Sequence, residues 1–239
     1  MVERWLFVSD VDDTLLGNNS ALATLMTTLQ TAAGRVITAY NSSRPCASLR
    51  QSLANVPQLP SPDYLIGGLG TEIQAGVSGK MLTEYTEFLD QNWQRPKIVT
   101  LMNQLGLVAH PIEYQTPLKA SFDLPDPARL TRVKEQLRTE NLAAKIIFSG
   151  GKNLDIIPQA AGKGGVVDYL RRQLDISAEQ VVVAGDSGND VDMFIPPYRG
   201  IVVGNADPDL KQLKGEHIYH ARAFYAAGVL EGLKYWQVV

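Results

Sequence analysis

Apolar positions along the chain first fall into short, nearly unbroken runs. Trp5-Leu6-Phe7-Val8 within RWLFVSD, RVITAY at 35–40 and DYLIGG at 63–68 each end at a polar or glycine-rich turn. Runs of this length predict strands buried on both faces. Between the first two, SALATLMTTLQTAA (Ser20 to Ala33) reads as a helix with Ser20 as its N-cap. A second helix is expected from about Pro45 to Ala54, with Pro45 in its first turn. Strands alternating with helices at this spacing imply a parallel sheet with helices on both faces.

The rhythm changes after about Lys80. TEYTEFLDQNW and PKIVTLMNQLG read as helices, LKASFDL alternates like a half-buried strand, and another helix is expected from Asp126 to Glu140. AKIIFSGGKNLDIIP reads as a hairpin turning around Gly150-Gly151. From Gly162 the earlier pattern returns. The helix GKGGVVDYLRRQL leads to VVVAGDSGND and GIVVGN, each a strand with a loop, then to a short strand HIYHA and a closing helix to about Trp236. The expected fold class is α/β, a doubly wound parallel-sheet (Rossmann-like) core with an inserted α+β cap domain. The core would comprise residues 1–80 and 160–239, and the cap residues 81–159.

Composition narrows the function classes. The 239 residues are 45% hydrophobic and 20% charged, as in a globular protein. With 22 Lys+Arg against 25 Asp+Glu, the formal charge is -3 and offers no basic face for nucleic acid or an anionic membrane. No eighteen apolar residues run uninterrupted, so no membrane span is expected, and charged Glu3 and Arg4 beside Met1 do not suit a signal peptide. The single Cys46 excludes an internal disulfide and fits a reducing compartment. A cytoplasmic protein is expected.

Chemistry concentrates where strands end. SDVDDT follows the first strand, YNSSR the second, AGKGG opens the return helix and AGDSGND follows its strand. Ligands of open parallel sheets bind beyond the carboxyl ends of the strands, so Asp10 and Asp12 could face Asp186 and Asp190 across one pocket. Four carboxylates with only Lys163 and Arg44 as nearby cations would be costly unless a cation joined them. Oxygen donors suit a hard ion, and Mg²⁺ typically takes a few carboxylates, waters and a substrate phosphate. Ser42, Ser43, the glycine-rich turns and Lys163 supply hydroxyl, N–H and ammonium groups suited to phosphate oxygens. The three histidines, His110, His217 and His220, show no metal-ligand spacing.

The order D-V-D-D-T, S-S-R, G-K-G and G-D-S-G-N-D resembles the haloacid-dehalogenase-like phosphatases. The resemblance implies that Asp10 is the nucleophile that forms an aspartyl-phosphate and that Asp12 is the general acid and base. It implies Mg²⁺ held by Asp10, the backbone carbonyl of Asp12, and Asp186, with Asp190 assisting directly or through water. Ser42 would bind the phosphoryl group, Ser43 would stand beside it, Lys163 would neutralise developing charge, and Asn189 would contact the phosphate. Asp13 has no family role.

Nearly the whole chain resembles, more closely, the cyanobacterial and plant sucrose-6-phosphate phosphatases. GLGTEI (Gly68 to Ile73), NWQR (Asn92 to Arg95), LKASFDL and IIFSGGKNLDIIP carry this likeness. It implies sucrose 6-phosphate as substrate, with Glu72, Lys119, Ser149, Lys152 and Asp155 as candidate sugar contacts. One departure is N-S-S-R (Asn41 to Arg44) where T-G-R is common. Serine pairs there are familiar from mannosyl-3-phosphoglycerate phosphatases, so that ester or a glucosyl-3-phosphoglycerate stays open as an alternative substrate. A non-catalytic sugar-phosphate-binding module would be marked by loss of Asp10 or Asp12, and both are present. A monomer with a small-molecule substrate and no nucleic-acid or membrane partner is expected, with docking onto the upstream sugar-phosphate synthase as one possible interaction.

Overall fold

The computed structural model describes residues 4–239, so residues 1–3 of the expected core lie outside the described residues. In chain order the strands and helices are β1 (Trp5–Ser9), α1 (Asn19–Thr31), β2 (Val36–Asn41), α2 (Cys46–Asn55), β3 (Tyr64–Gly67), β4 (Glu72–Ala75), α3 (Thr83–Asp90) and α4 (Arg95–Gln104). They continue with β5 (Val108–Ala109), β6 (Ala120–Asp123), α5 (Leu130–Thr139), β7 (Ala144–Ser149), β8 (Asn153–Pro158) and α6 (Lys163–Gln173). The chain closes with β9 (Val181–Gly185), β10 (Arg199–Val202), α7 (Pro208–Lys211), β11 (Ile218–His220) and α8 (Tyr225–Tyr235).

β1 and β9 are buried at every position, which is why their sequences are apolar without alternation. They lie side by side in the middle of a seven-stranded sheet of order β11-β10-β9-β1-β2-β3-β4. The chain winds outward from β1 through β2 to β3, then returns to the other side of β1 with β9, so the β1–β9 seam is the topological switch point. A crevice therefore opens beyond Ser9 and Gly185.

All pairs of this sheet are parallel except β3–β4, where Gly67 faces Glu72 in antiparallel register. β4 is a strand the sequence analysis does not expect, and it runs antiparallel because Gly68, Leu69 and Gly70, all at positive φ, reverse the chain within a few residues. A second sheet, β5-β6-β8-β7, is wholly antiparallel. Its backing helices α4 and α5 bury Ile98, Met102, Val133 and Leu137 in a hydrophobic cluster separate from that of the large sheet. Trp93 packs against both clusters and donates Nε1–H to Pro117 O at 2.9 Å, so it holds the junction between the two layers. α3, expected within the cap, buries Tyr85 and Leu89 in the larger cluster instead.

Helix starts differ from expectation for local reasons. α1 is capped by Asn18, whose side chain accepts from Ala21 N–H at 3.0 Å, and Ser20 lies inside the first turn. Pro45 is the N-cap residue of α2, and the carboxylate of Glu72 accepts from Cys46 N–H at 2.8 Å. A 3-10 turn, Pro127–Arg129, precedes α5, with Asp126 accepting from Ala128 N–H at 3.1 Å. The longer 3-10 helix Gly188–Met193 is not expected from the sequence; Ser187 and Asp190 close it with a reciprocal capping box.

Candidate active site

Asp10 follows β1 directly and Asp186 follows β9, so adjacent parallel strands deliver the two carboxylates to one crevice. The Asp10 N–H donates to Ala184 O at 3.0 Å, which continues the sheet register into the motif. Lys163 opens α6 from the opposite side. Its ammonium is fully buried and donates to Asp10 Oδ1 and Asp190 Oδ1, both at 2.6 Å. Asn41, at the end of β2, donates from Nδ2 to Lys163 O at 3.1 Å, tying the second motif to the third.

Burial raises the Asp10 carboxyl well above the usual range. The Lys163 charge opposes that rise, and the charges of Asp190 and Asp186 add to it. Burial and the charge of Asp190 push Asp186 up to about 6, although Thr14 donates Oγ1–H to its Oδ1 at 2.9 Å. Burial alone would lower Lys163, but its pairing with Asp10 and Asp190 outweighs this and holds it above its ordinary value. The site is thus an arrangement of carboxylates that one ammonium does not neutralise.

One oxygen each of Asp10, Asp186 and Asp190 lies within 4.8 Å of the others. The two oxygens of Asp190 are already engaged, Oδ1 by Lys163 and Oδ2 by the N–H groups of Asp186 and Ser187 at 3.1 Å. Among the described residues no hydrogen bond reaches Oδ2 of Asp10 or of Asp186. A hard divalent cation fits this donor set, with Asp10 and Asp186 facing it and Asp190 bracing them. The Asp12 carboxylate does not join the cluster. It is half-exposed and pairs with Arg44, which leaves only its backbone for the metal role that the resemblance implies.

Two cavities meet at this site. One, of about 520 Å³, is lined by Asp10, Asp12, Asp186 and Asn189 from the core and by Phe148, Ser149, Gly150 and Gly151 from the β7–β8 hairpin. Gly150 and Gly151 both adopt positive φ at the hairpin tip, which only glycine does without strain. The other cavity, of about 390 Å³, is lined by Arg44, His110, Tyr114, Lys119, Asp123, Lys152 and Asp155. Ser43 and Ser149 line both, so they form the neck between a chamber rich in carboxylates and a chamber walled by polar cap residues.

Lys119 and Asp155 pair at 3.4 Å with both side chains buried, and Ser121 Oγ donates to the same carboxylate. Lys119 also donates to Ser43 O at 3.2 Å, a direct link from the small sheet to the second motif. Ser42 is buried and its Oγ accepts from Arg44 N–H at 3.2 Å, which orders the motif turn. Asn189 carries a buried Oδ1 with no hydrogen-bond partner among the described residues. Lys152 is exposed on the rim of the smaller cavity.

Glu72 is the sequence candidate that the structure places elsewhere. Its carboxylate caps α2 through Cys46 N–H and lines a different groove with Thr71 and Met81, because β4 runs antiparallel at the sheet edge. Asp13 sits exposed at φ 60 and its carbonyl accepts from Asn205 Nδ2 at 2.6 Å. Sequence reading passed over Thr14, Ser121, Arg44 as a partner of Asp12, and the trio His110, Tyr114 and Asp123. The position of Thr14 inside D-V-D-D-T was a usable signal. The trio carried none, since His110 meets Asp123 only through the β5–β6 pairing, at 3.2 Å.

The sequence model of sucrose-6F-phosphate phosphohydrolase matches residues 3–237. A mannosylfructose-phosphate phosphatase of Agrobacterium fabrum is 36% identical over 97% of this chain and 96% of its own length. Sucrose-phosphatase 2 of Nicotiana tabacum is 31% identical over 96% of the chain, but the chain spans only 58% of that protein's length. Among solved structures, the sucrose-phosphatase of Synechocystis sp. PCC6803, in complex with sucrose and phosphate, superposes with a TM-score of 0.91 at 30% identity over 98% of both chains.

Proposed function

The chain belongs to the sucrose-6F-phosphate phosphohydrolase family, and from that premise we propose that it is a Mg²⁺-dependent phosphatase of a disaccharide phosphate, with sucrose 6-phosphate as the leading substrate. The observation that carries this reading is the pair of cavities joined at Ser43 and Ser149. A phosphoryl group in the larger chamber leaves its sugar in the smaller one, against the Lys119–Asp155 pair, with the ester oxygen at the neck.

Lys163 holds Asp10 Oδ1 at 2.6 Å, the oxygen that would also face the metal, so that Oδ2 is the one that attacks phosphorus. As the bond from phosphorus to the sugar oxygen breaks, Asp12 gives that oxygen a proton, and the phosphoryl group stays on Asp10. Asp12 then takes a proton from water, the water oxygen attacks phosphorus, and phosphate and free Asp10 result. Asn189 lines the phosphoryl chamber, where its Nδ2–H would donate to a phosphate oxygen, and the Lys163 ammonium behind Asp10 would offset the charge that develops in transfer. Bound Mg²⁺ would offset the carboxylate charge and polarise the phosphoryl oxygens.

A second reading, mannosylfructose phosphate, is favoured by the likeness to the Agrobacterium fabrum enzyme across nearly the whole of both chains. Glucose and mannose differ at a single carbon, so the choice lies with the distal wall of the smaller cavity. The test is phosphate release with Mg²⁺ from sucrose 6-phosphate, mannosylfructose phosphate, mannosyl-3-phosphoglycerate, glucose 6-phosphate and fructose 6-phosphate. Sucrose 6-phosphate should show the highest kcat/KM, and Asp10→Asn should lower it by at least about 1,000-fold. Preference for another ester would overturn the substrate and leave the reaction class standing.

A further inference from the structure

We propose that Arg44 is the positioning residue for the general acid Asp12, holding its carboxyl at the neck where the ester oxygen passes from one cavity to the other. The inference rests on the phosphatase reading above. Arg44 Nη2 donates to Asp12 Oδ1 at 3.0 Å, and Nε lies 2.9 Å from Oδ2 without the alignment of a hydrogen bond. The guanidinium is itself anchored, because Nη1 donates to Ser52 Oγ of α2 at 2.6 Å. Its backbone is pinned on both sides: the N–H donates to Ser42 Oγ at 3.2 Å and the carbonyl accepts from Gly68 N–H at 2.8 Å. Asp12 lines the phosphoryl chamber and Arg44 lines the sugar chamber, so the ion pair spans their junction.

The geometry assigns a distinct role to this pair. Asp12 is half-exposed, and an exposed aspartate samples several rotamers unless something holds it. A guanidinium that donates to Oδ1 and lies against Oδ2 without a hydrogen bond to it restrains the direction of the carboxyl and leaves Oδ2 able to carry the proton, and its planar, anchored group does this more narrowly than a lysine ammonium. Arg44 therefore matters most when the leaving oxygen is a poor leaving group and needs a proton in the transition state. Lys163, by contrast, acts on the phosphoryl side and should matter for every ester.

The experiment measures kcat/KM for wild type, Arg44→Met, Arg44→Lys, Ser52→Ala, Asp12→Asn and Asp12→Asn/Arg44→Met on phenyl phosphates that run from para-nitrophenyl to unsubstituted phenyl. None of these esters has a sugar, so a lost sugar contact does not enter. Arg44→Met should lose no more than about 3-fold on the nitrophenyl ester and on the order of 100-fold on the phenyl ester, the span expected for general-acid assistance. Arg44→Lys should recover part of the phenyl rate. Ser52→Ala, which leaves the ion pair in place, should show the same tilt more weakly. The double variant should be no more sensitive to the leaving group than Asp12→Asn alone. A loss by Arg44→Met that is uniform across the series, or that multiplies with that of Asp12→Asn, overturns the proposal. Failure of the wild type to hydrolyse both these esters and the sugar phosphates named above overturns the phosphatase reading itself, and so separates the two.

Discussion

Burial and the charge of Asp190 raise Asp186 from 3.8 to about 6, and this has an energetic consequence. The folded protein binds the carboxyl proton more tightly than the unfolded chain does, so stability without metal falls as pH rises from about 4 to about 6. Asp186→Asn removes that cost. In EDTA at pH 7 the variant should be more stable by about 1 kcal/mol, a figure discounted for the partial exposure of the group. That corresponds to a rise of roughly 2–4 °C in Tm for a chain of this size, shrinking toward pH 4. Added Mg²⁺ should stabilise the wild type and not the variant. Thermal melts at the two pH values check both statements, and a variant less stable than wild type at pH 7 in EDTA would contradict the first. Asp190 is the opposite case. Both of its oxygens are engaged, so Asp190→Asn should loosen Lys163 and cost stability as well as activity.

At the scale of elements, α6 approaches the 3-10 helix Gly188–Met193 as closely as backbone allows. A Cβ placed on Gly164 would stand 1.8 Å from Asp192 O, which belongs to the backbone and cannot swing aside. Gly164→Ala should destabilise the protein by about 1–3 kcal/mol despite the better helix propensity of alanine. It should also lower kcat, because Lys163 precedes it on the same turn. A urea melt and a kcat measurement on one sample test this, and unchanged stability would show that the two elements can separate without cost. The β7–β8 hairpin is the contrasting element. A Cβ on Gly151 would meet nothing within 4 Å, so the glycine there answers to its φ of 69° and not to space.

At the scale of the whole molecule, the two sheets have distinct hydrophobic clusters, joined where Ile157 of β8, Ile147 of β7 and Leu118 pack into the larger one, by Trp93, and by a few polar links. Lys119 is one link, buried between Asp155 of the small sheet and the Ser43 carbonyl of the large one. Lys145 is another: it pairs with Asp192 at 3.6 Å and donates to Ala161 O at the start of the return to α6. Removing the Lys119 ammonium leaves Asp155 buried with a weaker set of partners and the two layers less firmly apposed. Lys119→Met should therefore raise KM for the disaccharide phosphate about 10- to 100-fold, while kcat/KM on para-nitrophenyl phosphate changes by less than about 3-fold. Equal losses on both substrates would place Lys119 in the phosphoryl chemistry instead.

Sequence alone determined the alternation of buried strands and helices and the four motifs that furnish Asp10, Asp12, Lys163, Asp186 and Asp190. These were legible because each is local. An apolar run reports burial on both faces of a strand, and a motif a few residues beyond it must open at that strand's end. Tertiary structure alone decided the antiparallel edge at β4 and with it the removal of Glu72 from the sugar cavity. It also decided the pairing of Arg44 with Asp12, the support of Asp186 by Thr14, and the meeting of His110 with Asp123. Thr14 and Asp186 stand 172 residues apart, and no pattern of hydrophobic and polar positions encodes which way a side chain turns once such distant segments close on each other. Periodicity constrains burial one element at a time, whereas the direction of a charged side chain follows from the partners that folding brings within reach.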